Sequence, residues 1–224
     1  MNFDQNDPDY VRGMQSYLSA EWTQAESIFK SLNKKYPDSA YILLQLGEIY
    51  YSIGRLDESL AIYKKSLALN PENNIFHYKI GVCAYRAGKL EEALESFKRV
   101  NETNSGSHAM ASYFIGLINF FLGNEKESAV SFDKLRKESS ESKIANFFLA
   151  QLKIKNNQFT AAISLLEELL VITPHFAEIY YLLGDAYYKT HDITKALQCI
   201  RKALELNPND KRSAVMLEFL TISA

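Results

Sequence analysis

Apolar residues in this chain recur at the three-and-four spacing of a helix face, broken at regular distances by short polar turns. The clearest stretch is Ala177–Asp210, AEIYYLLGDAYYKTHDITKALQCIRKALELNPND. Two amphipathic helices there flank the turn Thr190-His191-Asp192, and the unit closes on Asn207-Pro208. The unit is 34 residues long. Stepping back by that length reaches Lys143 and Ala109 and then, after one extra residue, Asn74, Ala40 and Asn6. The spacing predicts six units over 6–39, 40–73, 74–107, 109–142, 143–176 and 177–210, followed by a last helix over 210–222.

Columns of the repeat carry physical meaning. The eighth position reads Gly13, Gly47, Gly81, Gly116, Ala150 and Gly184, and the twentieth Ala25, Ser59, Ala93, Ser128, Ala162 and Ala196. Small residues there let the two helices of a unit approach closely. The twenty-fourth position is large throughout: Phe29, Tyr63, Phe97, Phe132, Leu166 and Ile200. Pro37, Pro71, Pro174 and Pro208 follow the second helix and cannot continue it, whereas Ser105 and Ser140 replace proline in the third and fourth units.

This pattern resembles the tetratricopeptide repeat, a 34-residue helix-turn-helix unit. The resemblance covers about 90% of the chain and implies an all-α fold, a right-handed superhelical solenoid of antiparallel helix pairs forming one array over 1–224. The first unit carries Asp9 and Arg12 where later units are apolar, which suits a terminal repeat facing water. Asp7 reads as an N-cap with Pro8 in the first turn, and Trp22 packs at the turn into the second helix. The exit Asn104–His108, one residue longer than the period, predicts a looser joint, and Lys137–Ser142 a solvated loop or frayed helix end. The fifth unit departs most, with Asn146, Ala150 and Lys153 at core positions. In the last helix, capped by Asp210, Ala214, Val215, Leu217 and Leu220 share a face flanked by Met216 and Phe219, so it reads as a lid on the sixth unit, with a dimerising or tail-docking helix as the alternative.

Within the family, positions two, five, nine, twelve and thirteen of the first helices point into a concave groove. In the middle units these are Ile75, Tyr78, Val82 and Tyr85, then Met110, Tyr113, Leu117, Phe120 and Phe121, then Ile144 and Phe147, with Tyr51, Tyr181 and Tyr188 in neighbouring units. Together they predict an apolar, aromatic strip, rimmed by the acids Asp7, Glu48, Glu178 and Asp185. The resemblance therefore implies a non-catalytic scaffold or adaptor that binds a peptide or helical segment of a partner protein through large apolar anchors, and the acidic rim suits basic flanks. A self-assembling scaffold or homo-oligomer, or the regulatory subunit of a separate enzyme, are the alternatives. The clamp by which some family members grip a C-terminal carboxylate is missing: the corresponding pairs are Tyr10/Met14, Leu44/Glu48 and Tyr78/Val82.

Composition adds exclusions. With 47% hydrophobic and 23% charged residues the chain has material for a core, and its net charge of −2 points to neither nucleic acid nor an anionic membrane. No run approaches the about 18 apolar residues of a membrane span. The polar, acidic start MNFDQNDPDY predicts a cytoplasmic protein, or a periplasmic or exported one if a signal peptide has been removed. His77, His108, His175 and His191 are scattered and no Cys-x-x-Cys occurs, so neither metal, cofactor nor catalysis is expected. Cys83 occupies a core column and reads as a buried free thiol, too far from Cys199 to pair. Glu91-Glu92, Glu167-Glu168, Lys34-Lys35 and Lys64-Lys65 read as solvated helix faces.

Overall fold

The computed structural model describes residues 3–102, 109–138 and 143–222. Among them the chain is an all-α helical repeat, and no helix is long and apolar enough to cross a membrane. It folds as two compact units, Met1–Ala111 and Ser112–Ala224. The first contains α1 (Pro8–Leu18), α2 (Trp22–Lys35), α3 (Ala40–Ser52), α4 (Leu56–Leu69), α5 (Asn74–Arg86) and α6 (Leu90–Glu102), each packed on the next. Most of α7 (Ala109–Leu122) belongs to the second, with α8 (Glu125–Glu138), α9 (Ile144–Lys155), α10 (Phe159–Leu170), α11 (Ala177–Lys189), α12 (Ile193–Leu206) and α13 (Lys211–Ile222). The loose joint expected over Asn104–His108 lies outside the described residues; of the polar run at Lys137–Ser142, α8 continues through Glu138 and 139–142 lie outside too.

The small and large columns meet. A Cβ built on Gly47, Gly81 or Gly116 would stand 2.2, 2.8 or 2.9 Å from the ring of Tyr63, Phe97 or Phe132, sixteen residues on. Each glycine is therefore the flat floor on which the large residue of the following helix rests. In the fifth repeat Ala150 and Leu166 share full burial, so a smaller partner accompanies the added methyl. The buried serines of the twentieth column have partners: Ser59 Oγ donates to the Gly47 carbonyl and Ser128 Oγ to that of Gly116, both at 2.9 Å.

Every helix pair turns through one residue in the left-handed region. Gly54, Gly88 and Gly123 supply it with φ of 81°, 73° and 78°. The same repeat position is held by Ala20 (57°), Asn157 (58°) and His191 (64°), which carry a Cβ there and are strained in proportion.

Ends are capped as the sequence indicates. Asp7 accepts from the Asp9 amide at 3.0 Å, and Asp210 accepts from the Arg212 amide at 3.3 Å and from Ser213 Oγ at 2.7 Å. Asp9 and Arg12 pair with each other at 2.9 Å in water. Trp22 packs edge-on to Tyr17, while Phe3, absent from the repeat pattern, packs against Tyr10, Tyr36 and Tyr41. In the divergent fifth repeat Asn146 is buried and donates to Glu168 at 3.0 Å. Against α12, α13 turns only part of the expected face: Leu220 is buried and Leu217 half-buried, but Ala214 and Val215 are exposed, while Ser213 is buried and Met216 half-buried. Ser213 faces inward, where it bonds the Asp210 cap, and the apolar stripe stands partly in solvent.

Candidate functional site

In the first unit Ile75 is exposed, and Tyr51, Tyr78, Val82 and Tyr85 are half-buried. Tyr78 meets Phe97 edge-on at 5.8 Å, and burial pushes its phenol above the usual range. The ring of Tyr51 is covered by the Arg86 guanidinium, 4.7 Å away, which also donates to the Tyr51 carbonyl at 2.9 Å. Met110, at the start of α7, is exposed.

In the second unit Phe121 and Ile144 are exposed, and Tyr113, Phe120, Phe147, Tyr181 and Tyr188 half-buried. Leu117 is not available to a ligand: at 7% exposure it is packing material. The residue that organises the aromatic patch is Phe148, outside the expected columns. It stacks parallel on Phe132 at 4.8 Å and meets Phe120, Phe147 and Tyr113 at 5.3, 5.5 and 6.4 Å. Lys143, Ile144, Phe147, Leu169, Ile172, Thr173 and Phe176 line one open, apolar groove of about 350 Å³.

A second groove, of about 590 Å³, runs between α11 and α13. Tyr181, Asp185 and Tyr188 occupy one face of α11, at the i, i+4, i+7 spacing. Val215, Met216 and Phe219 of α13 form the facing wall, with Lys211 and Arg212 at its head. Phe219 stands perpendicular to Tyr188 at 5.5 Å. Half of this groove was invisible in the repeat columns because α13 lies outside them.

The four rim acids have different fates. Asp7 accepts from Lys35 Nζ at 3.0 Å and Tyr36 at 3.2 Å, and the hydrogen bond from Lys35 is the main cause holding its carboxyl below the usual range. Glu48 accepts from Tyr63 and pairs with Lys79 at 2.9 Å. Glu178 receives both Nη atoms of Arg212, at 3.1 and 2.5 Å. Asp185 alone has no hydrogen bond or ion pair within 4 Å among the described residues, and it is half-buried. Burial pushes its carboxyl above the ordinary value, with Lys189 one turn on acting in the opposite sense.

Both cysteines are free. Cys83 is buried, and burial pushes the half-buried Cys199 thiol up to about 11, so neither is an activated nucleophile.

Family models match along most of the chain: Iml2/Tetratricopeptide repeat protein 39 over residues 8–138, TPR repeat over 150–191, and Tetratricopeptide repeat over 177–210. The first alone spans more than half of the sequence. The chain belongs to the tetratricopeptide-repeat family. Solved tetratricopeptide-repeat (TPR) structures share its fold. YrrB, a TPR protein with an unusual peptide-binding site, is 18% identical with a TM-score of 0.75, over 85% of this chain and 97% of YrrB. MamA is 24% identical at 0.69, over 75% and 91%. PilF of Pseudomonas aeruginosa is 15% identical at 0.74, over 97% of both chains. No curated protein matches by sequence. At these identities the likeness concerns the fold. TPR proteins bind protein partners and are generally non-catalytic, so a protein-interaction scaffold is implied.

Proposed function

We propose that this TPR protein is a non-catalytic adaptor that holds an extended or helical segment of a partner protein on the first helices of its repeats. The observation that carries the reading is the α11–α13 groove, whose walls of Tyr181, Tyr188, Val215, Met216 and Phe219 are left unfilled by the chain's own side chains. Ile144 and Phe147 offer a second apolar seat in the same unit, and Ile75, Tyr78, Val82 and Tyr85 a surface in the other. The proposed contact set also keeps Tyr51, Met110, Tyr113, Phe120 and Phe121, and drops Leu117. Fully burying two or three apolar anchors contributes several kcal/mol at about 25 cal/mol per Å², before ordering costs are subtracted. YrrB, named for a peptide-binding site on the same fold, is consistent with a peptide ligand. The cytoplasm is the proposed compartment.

Selection of a displayed library of random 12-residue peptides on the full chain tests this. Wild type is expected to enrich peptides with two or more aliphatic or aromatic anchors, and Val215→Glu, a surface change on α13, to lose them while keeping its helical circular dichroism. Equal recovery by the two proteins would remove the α11–α13 groove from the binding surface.

A second reading is favoured by α13 itself, where Val215, Phe219 and Ile222 are 67%, 49% and 80% exposed. If these residues dock into another copy, light scattering will show a dimer that Val215→Glu dissociates.

A further inference from the structure

We infer that the α11–α13 groove selects a partner segment in which a lysine or arginine lies between apolar anchors, with Asp185 as the specificity-determining residue that receives the basic side chain. This rests on the reading of that groove as the peptide seat. Sealing it with a purely apolar segment would strip the remaining water from a carboxylate whose nearest cation, Lys189, makes no ion pair with it, and burial of an unpaired charge is strongly opposed. An acidic segment adds repulsion. A basic side chain removes the penalty and gains an ion pair in a poorly screened position.

The charged neighbours do not do this work themselves. Arg212 is held by Glu178 and, at 3.2 Å, by Asp210. The Nζ of Lys189 lies 5.5 Å over the Tyr188 ring and makes no ion pair with Asp185. Lys211 stands exposed at the head of the groove, where water screens it. The ring walls suit a cation as well: the Arg212 guanidinium sits 4.5 Å from the centre of Tyr181, so the groove already holds one cation–π contact of its own. A ligand ammonium or guanidinium beside Asp185 would have Tyr188 and Phe219 close by, with their aliphatic neighbours taking the stem of its side chain.

The test uses peptides from the selection above, with affinities read by fluorescence anisotropy on the full chain. Wild-type selections are expected to enrich Lys or Arg between apolar positions. Replacing that residue by norleucine should weaken binding to wild type by about tenfold, yet change binding to Asp185→Asn by less than about twofold. Asp185→Asn is nearly isosteric, and its thermal melt shows whether it is folded. Apolar peptides without a cation would overturn the inference and leave the groove reading standing. Cation selection that survives unchanged in Asp185→Asn would overturn the assignment to Asp185. Failure to enrich any peptide, or a second copy filling the groove, would overturn both.

Discussion

The contact between the small and large columns can be measured at Gly81 and Phe97. A methyl on Gly81 would stand 2.8, 2.9 and 2.9 Å from three atoms of the Phe97 ring. Ordinary carbon contact is about 3.5–4.0 Å, so the ring must retreat by roughly 0.7 Å. It has little room, being fully buried with its edge set against Tyr78. Overpacking of this kind costs about 1–3 kcal/mol, while alanine in place of glycine inside a helix returns about 1 kcal/mol. Gly81→Ala is therefore expected to destabilise α5 and α6 by about 1 kcal/mol. Phe97→Leu, which opens a void, should cost about 1–2 kcal/mol, less than the ~3–5 of a Phe→Ala change. The double variant reproduces the Ala150/Leu166 pairing of the fifth repeat, and its cost should fall short of the sum by about 1 kcal/mol. Native-state hydrogen exchange of α5 and α6 reads this locally, without requiring the whole chain to unfold in one step. Additivity within about 0.3 kcal/mol would refute the argument that the two columns are matched by contact.

Three further outcomes are expected. Ala20→Gly relieves a left-handed alanine and should stabilise the first helix pair by up to about 1 kcal/mol; a loss in the thermal melt would contradict the strain argument. Asn119 is buried, donating to the Ile115 carbonyl at 2.9 Å and accepting from Asn124 Nδ2 at 3.1 Å. Asn124→Ala strands that acceptor and should cost about 1–2 kcal/mol in a denaturant titration; a neutral result would mean the bond contributes nothing. Asp185→Asn should melt higher than wild type at neutral pH, because the raised folded-state carboxyl marks a charged form that folding disfavours. As pH falls through that raised value the wild-type aspartate takes up its proton in the folded state and recovers stability. The gap between the two melting temperatures should then close towards the ordinary carboxylate range, and a gap that widens on acidification would reverse the sign assigned to this residue.

Periodicity alone predicted the helix pairs α1 to α12, where α3, α5, α7 and α11 begin, and which columns are small or large. These are local or fixed-interval properties, and a 34-residue period repeats them often enough to be read without a structure. Caps at Asp7 and Asp210 were legible for the same reason, since a side chain bonding two or three residues along its own chain needs no tertiary partner. Left-handed turns were legible only where glycine filled them; Ala20, Asn157 and His191 give no comparable signal. The candidate site was legible as columns and no further. Tertiary packing buried Leu117, made Phe148 the hub of the aromatic patch, and rotated α13 so that Val215 and Phe219 face Tyr181 and Tyr188 across a groove. It also decided which acid remains unpaired. Lys35, Lys79 and Arg212 reach Asp7, Glu48 and Glu178 from 28, 31 and 34 residues away, leaving Asp185 without an ion pair. Pairing between side chains depends on through-space distance, which a column of residue types does not encode.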